Sequence, residues 1–337
     1  MRFLFRCVVM SPFFKVSRQV RQVSVFSFAS SLLAAAVLSA CGGSSSTPAD
    51  KAVSITFAAV NGTTPVTCAT TLTGMGTTGV SAAVQDLRFY ITNLALINDQ
   101  GVAVPVKLDA NKWQLTQTFS QGTETVSLID LENATGACAT GGTADMNAVI
   151  TGTVPDGTYV GLKASVGVPE TMNHTAVAGG TPPLDSAAMN WSWQSGRKFT
   201  KIELNPVGGI TKTVAATATT AAVVSNIPTF NLHVGSTGCT AKVGTTDIYT
   251  CTNLNLSDFS LSAFNVDTQK VALDIGQLFK TSNVTIENGG AAGCMSGTTD
   301  PECPALFSEL QISFGSGSNG QPINGGTAQK VFKAIAK

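Results

Sequence analysis

The stretch "LRFYITNLALI", residues 87–97, decides how the chain folds. It is apolar, aromatic and β-branched, holds no glycine or proline, and is long enough for one long or bent strand. Similar segments lie on both sides, each closed by Gly, Asn, Asp or Pro turns. Upstream is "AVSITFAAV" (52–60). Downstream come "VAVPVKL" (102–108), "TVSLIDL" (125–131), "MNAVITGTV" (146–154), "YVGLKASVGVP" (159–169), "FTKIELN" (199–205), "TFNLHVG" (229–235), "LNLSDFSL" (254–261) and "KVALDIG" (270–276). About ten short strands at this spacing predict an all-β fold, an antiparallel β-sandwich or barrel-like single domain with long loops. Helical periodicity is weak, and "PALFSELQISF" (304–314) is the one fair helix. Segment 170–190 reads as a long loop, and residues 208–223 and 315–327 are Gly/Thr/Ser-rich and expected to be exposed.

The N-terminus carries its own signal. Arg2, Arg6, Lys15, Arg18 and Arg21 precede an apolar run from Val23 to Leu38, which ends in Leu38-Ser39-Ala40-Cys41. A basic leader, an apolar stretch and small residues before a cut make a signal peptide, and the cysteine after Leu-Ser-Ala resembles a bacterial lipobox. The rival reading is an uncleaved membrane helix, because the run is near the shortest span. The expected organisation is a lipoprotein signal peptide over 1–40, lipidation at Cys41, a flexible tether over 41–51 and one domain over 52–337. Gly42 leaves no aspartate after the lipidated cysteine. The expected location is therefore the cell envelope, anchored to the outer membrane and facing periplasm or surface. Removing residues 1–40 takes away five basic residues and no acidic one. Fifteen Lys+Arg then face twenty Asp+Glu, a net of −5. A mildly acidic chain without a basic run is a poor partner for nucleic acid.

Six cysteines remain beyond Cys41: Cys68, Cys138, Cys239, Cys251, Cys294 and Cys303. An even number in an exported chain reads as disulfides, although six admit many connectivities. Short spacing favours Cys239 with Cys251 and Cys294 with Cys303, leaving Cys68 with Cys138. Zinc is the weaker reading, since no CxxC spacing occurs.

Several chemistries lack their motifs. No CxxCH, P-loop or GxSxG is present, so no haem of the chain's own is expected. "GMGTTG" (74–79) matches a dinucleotide fingerprint but has no βαβ context. What stands out is "MNWSWQSGRKF" (189–199), which holds two of the three tryptophans. As a strand it would line Met189, Trp191 and Trp193 on one side. The two indoles could be core, a sugar-stacking platform or a substrate for oxidation. Only two histidines exist. His174 sits in the long loop. His233 sits in an alternating strand, sharing a face with Asn231 and Gly235 and opposite Leu232 and Val234. A lone histidine is more often a structural hydrogen bonder than a ligand, and two beside a Trp-x-Trp stretch raise the odds of a metal site only modestly.

Four stretches in order, "GVPETMNH", "PPLDSAAMNWSWQSGRKFTKIEL", "FNLHVGSTGC" and "GCMSGTTDPECPALFSEL", resemble the MbnP-like family, the metallo-mystery pair four-Cys motif proteins. The resemblance spans roughly residues 53–315. It implies an exported, non-enzymatic copper-binding protein, acting in copper acquisition or handling. Its partner would be a MauG-like dihaem cytochrome c peroxidase family enzyme, which oxidises a tryptophan to kynurenine. Copper, chiefly as Cu(I), would be held by His174, His233 and a kynurenine derived from Trp191 or Trp193. The four family cysteines match Cys239, Cys251, Cys294 and Cys303. Two departures are visible: Gly196-Arg197 stands where many members have Gly-Tyr, and Thr175 follows His174. The residues alone leave two rivals: a carbohydrate- or surface-binding module using Trp191 and Trp193 as a platform, and an enzyme, for which no nucleophile–base or carboxylate-pair motif stands out.

Overall fold

A computed structural model describes residues 49–191, 196–214, 216, 218–241 and 249–337. The signal peptide, Cys41, most of the tether and Trp193 lie outside the described residues. Thr47–Lys337 form one compact unit.

The segment read from residues 87–97 is part of a strand that runs Val80–Asn98 and organises the larger sheet. Along one edge it pairs antiparallel with Thr200–Pro206 over its first half and with Tyr159–Val166 over its second, and along the opposite edge with Gly122–Asp130. Thr200–Pro206 in turn pairs with Phe230–Val234. A second sheet carries Asp50–Asn61, flanked by Gln269–Asp274 and Val149–Pro155. The two sheets face each other as a sandwich, and their inner faces make the main core. Along Asp50–Asn61, Val53, Ile55, Phe57 and Ala59 point inward, and they meet Phe89, Ile91 and Phe332. Phe89 packs edge-on against both Phe57 and Phe332. No closed barrel forms. Among the described residues three pairings are parallel rather than antiparallel, including Asp50–Asn61 with Gln269–Asp274.

The long strand is bent, and its bends are specific. Ala82 and Val84 face the core, then Leu87, Phe89 and Ile91, then Leu94 and Leu96. The inward parity changes twice. Each change falls at a register shift, one opposite Glu203/Leu204 and one opposite Lys163/Ser165. A bulge inserts one unpaired residue and so moves every later side chain to the other face. At the second bulge Asn93 adopts φ 53°, a left-handed conformation that asparagine tolerates and branched residues do not.

Between the bulges both faces are buried. The inner face meets the sandwich core. The outer face, with Asp86, Arg88, Tyr90 and Thr92, is buried too: Arg88 donates to the Gly141 carbonyl, Thr92 donates to the Thr125 carbonyl, and Tyr90 is covered by the described residues of the segment 167–199. Its residues 170–190 read as a loop from the sequence, yet the segment packs Val168, Met172, Leu184, Met189 and Phe199 onto Tyr90, Val126 and Leu128 as a second small core. The Tyr90 hydroxyl donates to the Pro183 carbonyl at 2.9 Å. The glycine-rich "GMGTTG" joins Thr71–Met75 to Val80–Asn98 as a turn between antiparallel strands. The helix expected over 304–314 runs Cys303–Glu309.

The bulge predicts a position-specific cost. Asn93→Val should destabilise the protein by about 1–2 kcal/mol, the penalty for forcing a branched residue into the left-handed region. Asn93→Gly should stay close to wild type. Urea denaturation of the two variants measures the difference.

Candidate metal centre

The strand Phe230–Val234 buries Phe230, Leu232 and Val234 in the main core and turns Asn231 and His233 to the opposite face. That face is a checkerboard of charge. Register aligns Arg88, Lys201 and His233 in one row and Asp86, Glu203 and Asn231 in the next. Asp86 accepts from the Arg88 guanidinium and from Lys201. Lys201 also lies 3.2 Å from Glu203, and the His233 Nε2 lies 2.8 Å from Glu203 Oε1. All five groups are buried. A buried charge is tolerable when paired and hydrogen-bonded, and here each ion has a partner on its own strand or the next.

The electrostatics give His233 a defined state. Burial holds its pKa below the ordinary imidazole value, against the pull of Glu203. Burial also disfavours the Glu203 carboxylate, but the hydrogen bond from His233 and the charge of Lys201 outweigh it and bring its pKa to about 2. A neutral imidazole donating Nε2–H to a carboxylate keeps its electron pair on Nδ1. This is the arrangement in which carboxylates orient metal-binding histidines.

His174 is the C-cap of the short helix Glu170–Asn173 and is half-exposed. Its ring stacks on Tyr249 at 4.2 Å. Its Nε2 lies 3.2 Å from the Asn173 Nδ2 and 3.2 Å from the Cys251 Sγ. Asn173 Oδ1 accepts the Arg197 backbone N–H at 2.8 Å, which leaves the Asn173 NH2 to donate to His174. Nε2 is therefore the nitrogen that carries the electron pair.

The tryptophan stretch is a tight return rather than a regular strand. Ala187–Met189 form a 3₁₀ turn, Asn190 bridges Arg197, and the Trp191 N–H donates to the Gly196 carbonyl at 2.9 Å. Met189 and Trp191 are both buried, Met189 in the small core over Tyr90 and Trp191, only 4% exposed, beside Gly235. The Lys198 backbone N–H donates to the Met189 carbonyl at 2.8 Å, and from Phe199 onward the chain bonds to the His233 strand instead, at Val234. Two glycines permit the approach. A Cβ on Gly196 would stand 3.0 Å from the His174 ring, and a Cβ on Gly235 would stand 2.6 Å from the Trp191 ring. The stretch thus touches the His174 segment through Gly196 and the end of the His233 strand through Trp191.

Arg197, a departure visible in the sequence, is the fastener of this region. It is fully buried. Its Nε and Nη2 donate to the Leu184 carbonyl, and its Nη1 donates to the carbonyls of Asn173 and Thr175. Burial lowers its pKa from the ordinary value, with Tyr90 and Asp185 opposing. Carbonyl dipoles, not a carboxylate, solvate this guanidinium. Arg197 and Glu203, like Asn173, Asp86 and Lys201, carry no role that the sequence alone assigns. Alternation places Glu203 on the His233 side of its strand, but its partner requires the cross-strand register.

The six cysteines form Cys68–Cys138, Cys239–Cys251 and Cys294–Cys303. Each lies in a cluster of potential ligands: Glu132 with the first, His174 with the second and Asp300 with the third. As disulfides these sulfurs are not thiolate ligands.

A family model described as MbnP matches residues 50–296. The chain belongs to the MbnP family. Among solved structures, MbnP from Methylosinus trichosporium is similar at 31% identity and TM-score 0.74, over 86% of this chain and 99% of that one. No curated relative matches. The MbnP fold therefore covers the sandwich, the histidine strand and the tryptophan return.

Arg197→Met should leave the carbonyls of Asn173, Thr175 and Leu184 without their donor. The expected loss is about 3 kcal/mol or more in urea denaturation, from several buried acceptors stripped at once. Limited proteolysis should then cut first between residues 174 and 186.

Proposed function

We propose that this protein is an exported, lipid-anchored copper-binding protein of the cell envelope, and not an enzyme. His174, His233 and a kynurenine made from Trp191 or Trp193 hold the ion, favouring Cu(I). A MauG-like dihaem peroxidase partner makes the kynurenine, and Cys41 carries the lipid that anchors the protein to the outer membrane. The role is copper acquisition or handling. One observation carries the reading: the 189–199 return touches the His174 ring at Gly196 and the end of the His233 strand at Trp191. Three separated motifs of an MbnP-family chain meet there.

The donor chemistry supports it. Imidazole suits copper, and both rings keep an electron pair on a defined nitrogen. An indole N–H is a donor only and cannot ligate. Opening the indole to kynurenine exposes an aryl amine with a free electron pair. Glu203 holds His233 in the ligating tautomer and balances positive charge nearby. The platform reading fares worse, because a sugar-stacking surface needs exposed rings and Trp191 is buried.

Mass spectrometry of protein from its native envelope, beside recombinant protein made without the partner, tests the central step. A kynurenine-sized mass gain on the peptide bearing Trp191 and Trp193, in the native sample only, is expected, and fragmentation names the residue. His174→Ala and His233→Ala should each abolish tight Cu(I) binding in a competition titration; unchanged binding in either would overturn the assignment.

Glu203→Gln keeps an acceptor for His233 but removes the charge. Copper affinity should fall on the order of 10–100-fold, the usual cost of losing a carboxylate behind a metal-binding histidine. Isothermal titration of the matured protein reads it.

A further inference from the structure

We propose that the Cys239–Cys251 disulfide is reducible, and that opening it creates a thiolate–imidazole site for a soft ion such as Cu(I), built from Cys239, Cys251 and His174. The site shares His174 with the copper reading above but needs neither kynurenine nor His233.

Four observations carry it. The first is proximity: the ligating atoms of His174, Cys239 and Cys251 all lie within 4.8 Å of one another. The second is orientation. Asn173, held by the Arg197 N–H, donates to His174 Nε2, so the nitrogen that keeps its electron pair is the one 3.2 Å from the Cys251 Sγ. An imidazole nitrogen with two thiolates is a soft donor set, the kind that selects Cu(I) or zinc. The third is access. Cys68, Cys138, Cys294 and Cys303 are all buried, whereas Cys239 is half-exposed beside its buried partner. An attacking thiolate can therefore reach this bridge at the Cys239 sulfur before it reaches the other two. The fourth is independence. Cys239 and Cys251 face each other across a two-stranded ribbon, Thr237–Ala241 with Tyr249–Asn253, that is separate from both sheets of the sandwich. The main core does not include Cys239 or Cys251.

The chemistry balances with a thiol reductant, such as a dithiol of the envelope's thiol–disulfide exchange proteins. The reductant's thiolate attacks the Cys239 sulfur, the Cys239–Cys251 bond breaks, and Cys251 leaves as a thiolate. The reductant's second thiol resolves the mixed disulfide, releasing Cys239 as a thiol and the reductant as its own disulfide. Two electrons pass from the dithiol to the protein bridge. A soft cation then displaces the remaining thiol proton.

The test uses the full-length mature chain carrying His233→Ala and made without the partner enzyme, so that the kynurenine site is absent. Graded dithiothreitol followed by alkylation and peptide mapping should label Cys239 and Cys251 well before the other four cysteines. Cu(I) titration against a chromophoric chelator should then show one added equivalent in the reduced protein, with affinity reduced at least tenfold by a further His174→Ala. A Cys239→Ser/Cys251→Ser double variant should gain no copper on reduction. Simultaneous labelling of all six cysteines, loss of the fold on opening this bridge alone, or equal Cu(I) uptake before and after reduction would each overturn the proposal. Because His233 is absent throughout, such a failure leaves the His174/His233 reading standing.

Discussion

The middle of strand Val80–Asn98 is buried on both faces, and everything else follows from how those faces are satisfied. Inward, Leu87, Phe89 and Ile91 join the sandwich core. Outward, Asp86, Arg88, Tyr90 and Thr92 are denied water as well. A strand with one face in water needs only a polar pattern there. A strand with two buried faces must find a partner for every outward polar group, at a cost of about 1–3 kcal/mol for each one left alone. Asp86 finds Arg88 and Lys201, and Tyr90 finds the Pro183 carbonyl. The covering segment 167–199 is thus part of the sheet's own stability rather than an ornament on it.

The same covering segment carries two of the proposed ligand residues. His174 and Trp191 sit on backbone that must lie over Tyr90, Val126 and Leu128, because Met172, Leu184 and Met189 bury their side chains there. Arg197 ties the two ends of this segment together through carbonyls of Asn173, Thr175 and Leu184. A loop so packed and so bonded loses little further freedom when a ligand arrives, and that preorganisation is what a small metal site needs.

Much of this was legible in the sequence, and the parts that were not share a cause. Period-two alternation located Asp50–Asn61, Thr200–Pro206 and Phe230–Val234, because each has one core face and one face of another kind. It also put His233 opposite Leu232 and Val234. Alternation of Leu87, Phe89 and Ile91 with Asp86, Arg88 and Thr92 marks the middle of Val80–Asn98, but the bulges are one-residue slips of phase that show only in the cross-strand register. Nor could alternation show that 170–190 packs as a second core: Met172, Leu184 and Met189 are spaced too irregularly for either period. Short spacing in the chain pointed to Cys239–Cys251 and Cys294–Cys303, for which neighbouring residues are also spatial neighbours. Arg197 was visible only as an odd residue. Its partners are backbone carbonyls, and no side-chain pattern encodes those.

The checkerboard of Asp86, Arg88, Lys201, Glu203 and His233 joins fold to site. Replacing these charges with apolar residues of similar volume would solve the burial problem at least as well, since buried ion pairs rarely gain more than they lose in desolvation. Their presence is better explained by what the last member does. Lys201 keeps Glu203 ionised, and Glu203 then holds the His233 Nε2–H, so the free electron pair of that ring is fixed on Nδ1. A sheet built only for stability has no reason to fix a tautomer. A sheet that offers one imidazole nitrogen to an ion, as proposed for His233, does, and Lys201 and Glu203 on the neighbouring strand are the means by which it does so.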